Sequence, residues 1–305
     1  MKCRIDNFFD AMTYILTMDS QFYASDITTL YHYTNNSTAQ KNILKDPAYI
    51  DFRLTKVKDF LDKNEGNAIL EPYLHACGHL VSDSRISSEF HEILISFRPN
   101  SLKNRENTWV LCFSKNGNSE FLKERYSAKE SAILSFHSEY FQNLEFEKLD
   151  VRCRLIQVCY SFSKMKQVFE KIMKKLYCCY HCEIENGMPK KDAKNWVTRC
   201  LHSIFDEYSL HYKDATYKKE EEIRLICQPN PEFCGSSIPQ YQPTFFYGTD
   251  GKLHLSLPRK RFLKNVLDDI CWQNSSKLNS AIISYEELRR ESTKAMAVQN
   301  RNKNI

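Results

Sequence analysis

The chain of 305 residues is 42% hydrophobic and 13% aromatic, enough to bury a substantial core, and its formal charge of +5 is modest. Extended disorder is therefore not expected, and the longest apolar runs, at 109–113 and 176–180, fall far short of the roughly 20 residues that span a bilayer. Acidic residues and threonines stand near the amino terminus where a signal peptide needs a continuous apolar stretch, so the expectation is a cytoplasmic protein, in its own cell or a host's, with no membrane partner.

Residues 6–19 read as a helix, with Ile5, Phe8, Phe9, Met12, Ile15 and Leu16 at three- and four-residue spacing. A strand follows at 29–34, where alternation puts His32 and Thr34 on one face and Tyr31 and Tyr33 on the other, and "NNST" supplies a helix cap behind it. Further strands are expected at 49–54, 108–114, 131–136, 152–160 and 221–228, then at 244–247 and 252–257 across the Asp250-Gly251 turn. Between 152–160 and 221–228 lie the two clearest helices, with stripes Phe162, Met165, Phe169, Ile172, Leu176 and Ala193, Trp196, Val197, Cys200, Leu201, Ile204, Phe205, Tyr208. "NGMP" separates them, so they form a hairpin. Strands interrupted by paired helices, with a late β-hairpin, predict an α+β fold and not a doubly wound α/β sheet. The expected organisation is one domain over 1–305, with core 29–228, an inserted helical hairpin within 162–208, and a C-terminal hairpin and helices in 229–305.

The twelve cysteines are scattered, mostly inside apolar patterns, and read as reduced core thiols. Cys179-x-x-Cys182, with Cys200 and His202 beyond it, has metal-ligand residue types, as does "HACGH" at His75, Cys77 and His79. Helical spacing already accounts for both, and neither a disulfide nor a metal is expected. Positive charge gathers in "PRKRFLKN" and in the tail, which suits either contact with nucleic acid or a solvated surface.

Three strands carry polar ends. The first holds His32 and Thr34; the second, "WVLCFS", ends in Ser114 before a turn into a short helix; the third, "EEEIRLICQ", alternates so that Glu220, Glu222 and Arg224 share a face. "LYHYT", "FLDKNEG", "CFS" with a downstream "YS", and Y-x-x-E-x-E-x-R, in that order from about residue 29 to 228, resemble the bacterial family known as domain of unknown function 2971. Asp62 and Glu65 match its second motif, Tyr126 its third, and Tyr217, Glu220, Glu222 and Arg224 its fourth. Leu122 stands where that family usually has tryptophan, and "AKESAILSF" lacks a usual glycine.

The same order more distantly resembles ADP-ribosyltransferases, in which a split sheet holds NAD. That resemblance implies a split mixed or antiparallel sheet, NAD as substrate, Glu222, Glu220 and His32 as catalytic residues, and His32, Thr34, Ser114, Tyr126 and Arg224 as the NAD-binding set. Glu222 would bind the ribose 2′-hydroxyl, oriented by Ser114, and Glu220 would serve the acceptor, a nucleic acid, a protein or water. Tyr126, Tyr31 or Tyr33 would stack on nicotinamide. A toxin or phage-defence role is implied. Two other classes fit the residues: a metal-dependent nuclease using Asp62, Glu65, Glu220 and Glu222, and a non-catalytic module that binds nucleic acid or a partner through basic residues 258–264.

Overall fold

The computed structural model describes residues 20–46, 49–60, 66–99, 108–127, 131–142, 145–146, 151–228, 244–248, 251–257 and 267–272, together with Tyr14. Its strands are β1 (Thr29–Asn35), β2 (Arg53–Lys56), β3 (Trp109–Ser114), β4 (Ser131–His137), β5 (Glu145–Phe146), β6 (Val151–Gln157), β7 (Glu222–Gln228), β8 (Thr244–Tyr247), β9 (Leu253–Ser256) and β10 (Leu267–Trp272). The longer helices are α1 (Leu70–Val81), α2 (Ser88–Ser96), α3 (Glu120–Ser127), α4 (Phe162–Glu185) and α5 (Lys190–Tyr208). The fold is α+β with an antiparallel sheet. Apart from Tyr14, which is helical, the helix expected at 6–19 lies outside the described residues, as do Asp62, Glu65 and basic residues 258–264.

Where the sequence suggests one domain, the chain folds as two compact units interleaved in sequence. The helical unit comprises Met1–Tyr23, Phe60–Glu106 and Gln157–Lys218. The expected α4–α5 hairpin is present, but it belongs with α1 and α2 and is not an isolated insertion. Helix α4 starts where the Ser161 hydroxyl accepts a bond from the Lys164 amide, and ends where Gly187, at φ 93°, takes the left-handed turn that side chains resist. The stripes read from sequence meet in one core of Met165, Phe169, Ile172, Leu176, Trp196, Leu201 and Phe205, with Tyr73 and Phe90 from α1 and α2.

The sheet unit comprises Ala24–Asp59, Asn107–Ile156 and Lys219–Ile305. Its strand order is β10-β4-β1-β3-β2-β9-β8, while β7 lies on the other edge of β3 and is followed by β6 and β5. Strand β7 pairs with β3 along its whole length, from Trp109↔Cys227 to Ser114↔Glu222. The remaining edge of β3 is shared: β2 takes one end at Thr55↔Val110 and Lys56↔Trp109, and β1 meets the other end only at Tyr31↔Ser114. Beyond that pair β1 continues against β4 alone, in register from Thr29↔His137 to Asn35↔Ser131.

Several boundaries differ from the sequence reading. Ile50 and Phe52 have a strand-like alternation and are buried, but the strand itself runs only from Arg53 to Lys56. The expected strand 152–160 stops at Gln157, because Cys159 bridges to Tyr212 within the helical unit. Strand β10 and helix α2 were not expected: consecutive Asp268 and Asp269 mask the first, which has a register shift between Leu267 and Asp269, and the second is short.

Candidate active site at the end of the central strand

The site is built around the C-terminal end of β3. The Ser114 hydroxyl donates to the carbonyl of Glu220 at 2.8 Å and accepts from the Asn116 amide at 3.1 Å, so one side chain ties two backbone turns together. Tyr33 does the same for the loop that follows β3: its hydroxyl donates to the Asn116 carbonyl at 2.6 Å and accepts from the Ser119 amide at 2.9 Å. The ring of Tyr31 lies so close over Gly117 that a Cβ there would stand 2.5 Å from it. Helix α3 covers this face, with Leu122 packed among Tyr33 and Ile133.

Glu222 opens β7 and is gripped end-on by Arg224, whose Nε and Nη2 donate to its two carboxylate oxygens at 3.0 and 3.1 Å. Both side chains are buried. Alternation along a strand places positions i and i+2 on one face, so this fork-to-fork geometry follows from the E-x-R spacing. Glu220 is held differently. It ends the 3-10 helix Ala215–Glu220, and its buried carboxylate accepts from Arg125 of α3 at 2.8 Å. Between the two, Glu221 has φ 45°, a left-handed conformation that breaks the alternation expected from the sequence. Glu220 is thus placed by a turn and an arginine, not by strand periodicity.

His32 projects from β1 toward β3. Its Nδ1 lies 2.9 Å from the Cys112 carbonyl, which can only accept, so Nδ1 carries the proton. Burial pushes the pKa of His32 below its usual 6.5, partly offset by that bond, which favours a neutral ring whose Nε2 is an acceptor. The ring meets Phe113 edge-on at 6.0 Å.

Directly paired residues share a sheet face, so Tyr31, Ser114 and Glu222 form one row across three strands. His32 and Thr34, one position out of phase with Tyr31, belong to the opposite face with Leu30. Thr34 is buried opposite Ala132. Tyr126 is 48% exposed on α3, with the Arg125 guanidinium 5.9 Å from its ring. The structure therefore brings Ser114, Glu220, Glu222 and Arg224 together at one strand end, sets His32 on the neighbouring strand facing the other way, and leaves Tyr126 on the surface. Ser114 braces the backbone at Glu220; it makes no described bond to the Glu222 carboxylate that it was expected to orient. Tyr33 has its hydroxyl committed to the loop. Arg125, Asn116 and Gly117 were not singled out from sequence, although the Asn-Gly step marked the turn and Arg125 adjoins Tyr126.

Cys179 and Cys200 are packed in the helical core, where burial pushes the Cys200 thiol up to about 12; Cys77, also buried, is raised to about 11. Among the described residues no cluster of three metal-ligating side chains forms.

Comparison of the chain with protein-family models, curated proteins and solved structures gives no match.

Proposed function

We propose that the chain is an NAD-consuming, ADP-ribosyltransferase-like enzyme that cleaves the nicotinamide–ribose bond. The observation that carries this reading is the parting of β1 from β3 after the single Tyr31–Ser114 pair, with His32 reaching across to Cys112 and the Glu222 strand on the far edge of β3. The strands bearing His32, Ser114 and Glu222 are consecutive neighbours, as a split sheet of that kind requires.

The chemistry needs a fixed negative charge. Leaving of nicotinamide takes the bonding electron pair with it and builds positive charge on the ribose, so a carboxylate beside the sugar stabilises the transition state more than the ground state. Glu222 would fill that role, held rigid by Arg224. A carboxylate has about four lone-pair sites, so two bonds to Arg224 do not by themselves exhaust it. His32, protonated at Nδ1, would accept a ribose hydroxyl at Nε2. Glu220, pinned by Arg125 and by its own backbone bond to Ser114, would position the acceptor side.

The test is incubation with NAD labelled in its adenylate half, followed by separation of protein, nucleic acid and free ADP-ribose. Wild-type protein should release nicotinamide, and Glu222→Gln protein, shown by circular dichroism to be folded, should do so about 10²–10³ times more slowly. Equal turnover by the two proteins, or none by wild type with any of these acceptors, sinks the assignment.

A further inference from the structure

We propose that Cys153 and Cys227 form a reversible intramolecular disulfide when the protein meets a peroxide. The inference stands independently of whether the chain consumes NAD. Cys153 lies on β6 and Cys227 on β7, which are neighbours in the sheet, and their sulfur atoms are 2.7 Å apart. That separation is short for two thiols that merely pack, and only a small movement from the roughly 2.04 Å of a covalent bond. Adjacent strands about 4.8 Å apart already bring backbones into the range that a disulfide spans. Cys77, Cys179 and Cys200 sit in the helical core among apolar side chains.

The two thiols differ in a way that divides the labour. Cys153 is half-buried at the margin of the sheet core, whereas Cys227 is fully buried within it. Burial, and the neighbouring Cys153, push the Cys227 thiol up, so Cys227 is not the sulfur that attacks first. In the first step the Cys153 thiolate attacks hydrogen peroxide: an S–O bond forms, the O–O bond breaks, and the departing hydroxide takes up a proton as water. Cys153 becomes a sulfenic acid. In the second step the Cys227 sulfur attacks Sγ of Cys153; the S–S bond forms, the S–O bond breaks, and hydroxide leaves with the Cys227 proton as a second water. Two thiols lose two electrons and one peroxide gains them. A dithiol reductant reverses the product by exchange. With Cys227 in contact, the sulfenic acid is intercepted before it can be oxidised further.

The test uses the whole chain treated with equimolar hydrogen peroxide, alkylated after unfolding, digested without reductant and read by mass spectrometry. The expected result is one cross-linked peptide pair joining Cys153 to Cys227, lighter by two hydrogens than its parts, lost on treatment with dithiothreitol, while Cys77, Cys179 and Cys200 are alkylated in full. In Cys153→Ser protein, a change at the more exposed partner, Cys227 should stay alkylatable after the same treatment. Accumulation of Cys153 as sulfinic acid with Cys227 still free, or pairing of either cysteine with a third, would overturn the proposal.

Discussion

Arg224 is a fully buried guanidinium, and the carboxylate that justifies it is two residues away. A buried ion pair adds little over well-packed apolar residues, because the desolvation of both charges offsets their attraction, yet removing one partner strands the other. Arg224→Leu should therefore destabilise the protein by about 3–5 kcal/mol in urea denaturation, and Glu222→Leu/Arg224→Leu should recover much of that loss. Strict additivity of the two single changes would mean that the forked geometry contributes nothing. The E-x-R spacing made the shared face legible in the sequence; that the pair closes on itself in the interior was not, because alternation gives direction and says nothing about what covers a face. Gly117 makes a second residue-scale case. Gly117→Ala would drive a methyl into the Tyr31 ring, and denaturation should show a loss of about 1–3 kcal/mol as ring and loop shift to make room.

At the scale of the element, the join between the 3-10 helix Ala215–Glu220 and β7 explains why one candidate was misplaced by periodicity. Glu220 and Glu222 look like partners on a strand, but the left-handed Glu221 turns the chain between them, and the Lys115 amide and the Ser114 hydroxyl secure the carbonyls of Glu221 and Glu220. Those bonds come from the end of β3 and the start of the loop after it, some hundred residues away in sequence, which no local pattern reveals. The loop depends in turn on Tyr33. Removing its hydroxyl leaves the buried Ser119 amide and the Asn116 carbonyl without their bridge, so Tyr33→Phe should cost about 1–3 kcal/mol and loosen the segment that braces Glu220. Hydrogen exchange at the Ser119 amide should rise well beyond the global change; unchanged protection there would show that the loop is held by its other contacts.

At the scale of the whole molecule, the long apolar stripes of α4 and α5 were legible because 3.6-residue periodicity over many turns has few alternatives. The division into two units was not, since each is assembled from segments separated by stretches of the other. Of the three tryptophans, Trp109 and Trp272 lie in sheet strands and Trp196 in α5, so their fluorescence reports on unfolding and allows a test of His32. Its pKa in the folded chain lies below the value of about 6.5 that it has when unfolded, because burial disfavours the charged ring. Between the folded and unfolded values the unfolded chain binds more protons, so stability rises with pH in that window. The contribution is fully present above about 6.5 and is lost as pH falls through the folded value. The chain has nine histidines, so the informative quantity is a difference between two proteins that share all the others. His32→Gln keeps an N–H donor for the Cys112 carbonyl and cannot be protonated in this range. Unfolding followed by tryptophan fluorescence should show wild type losing stability relative to His32→Gln as pH is lowered from about 7.5 to about 5. A gap between the two proteins that stays constant across that range would mean that the ring is not held neutral between β1 and β3, and its proposed place as an acceptor for a ribose hydroxyl would have to be withdrawn.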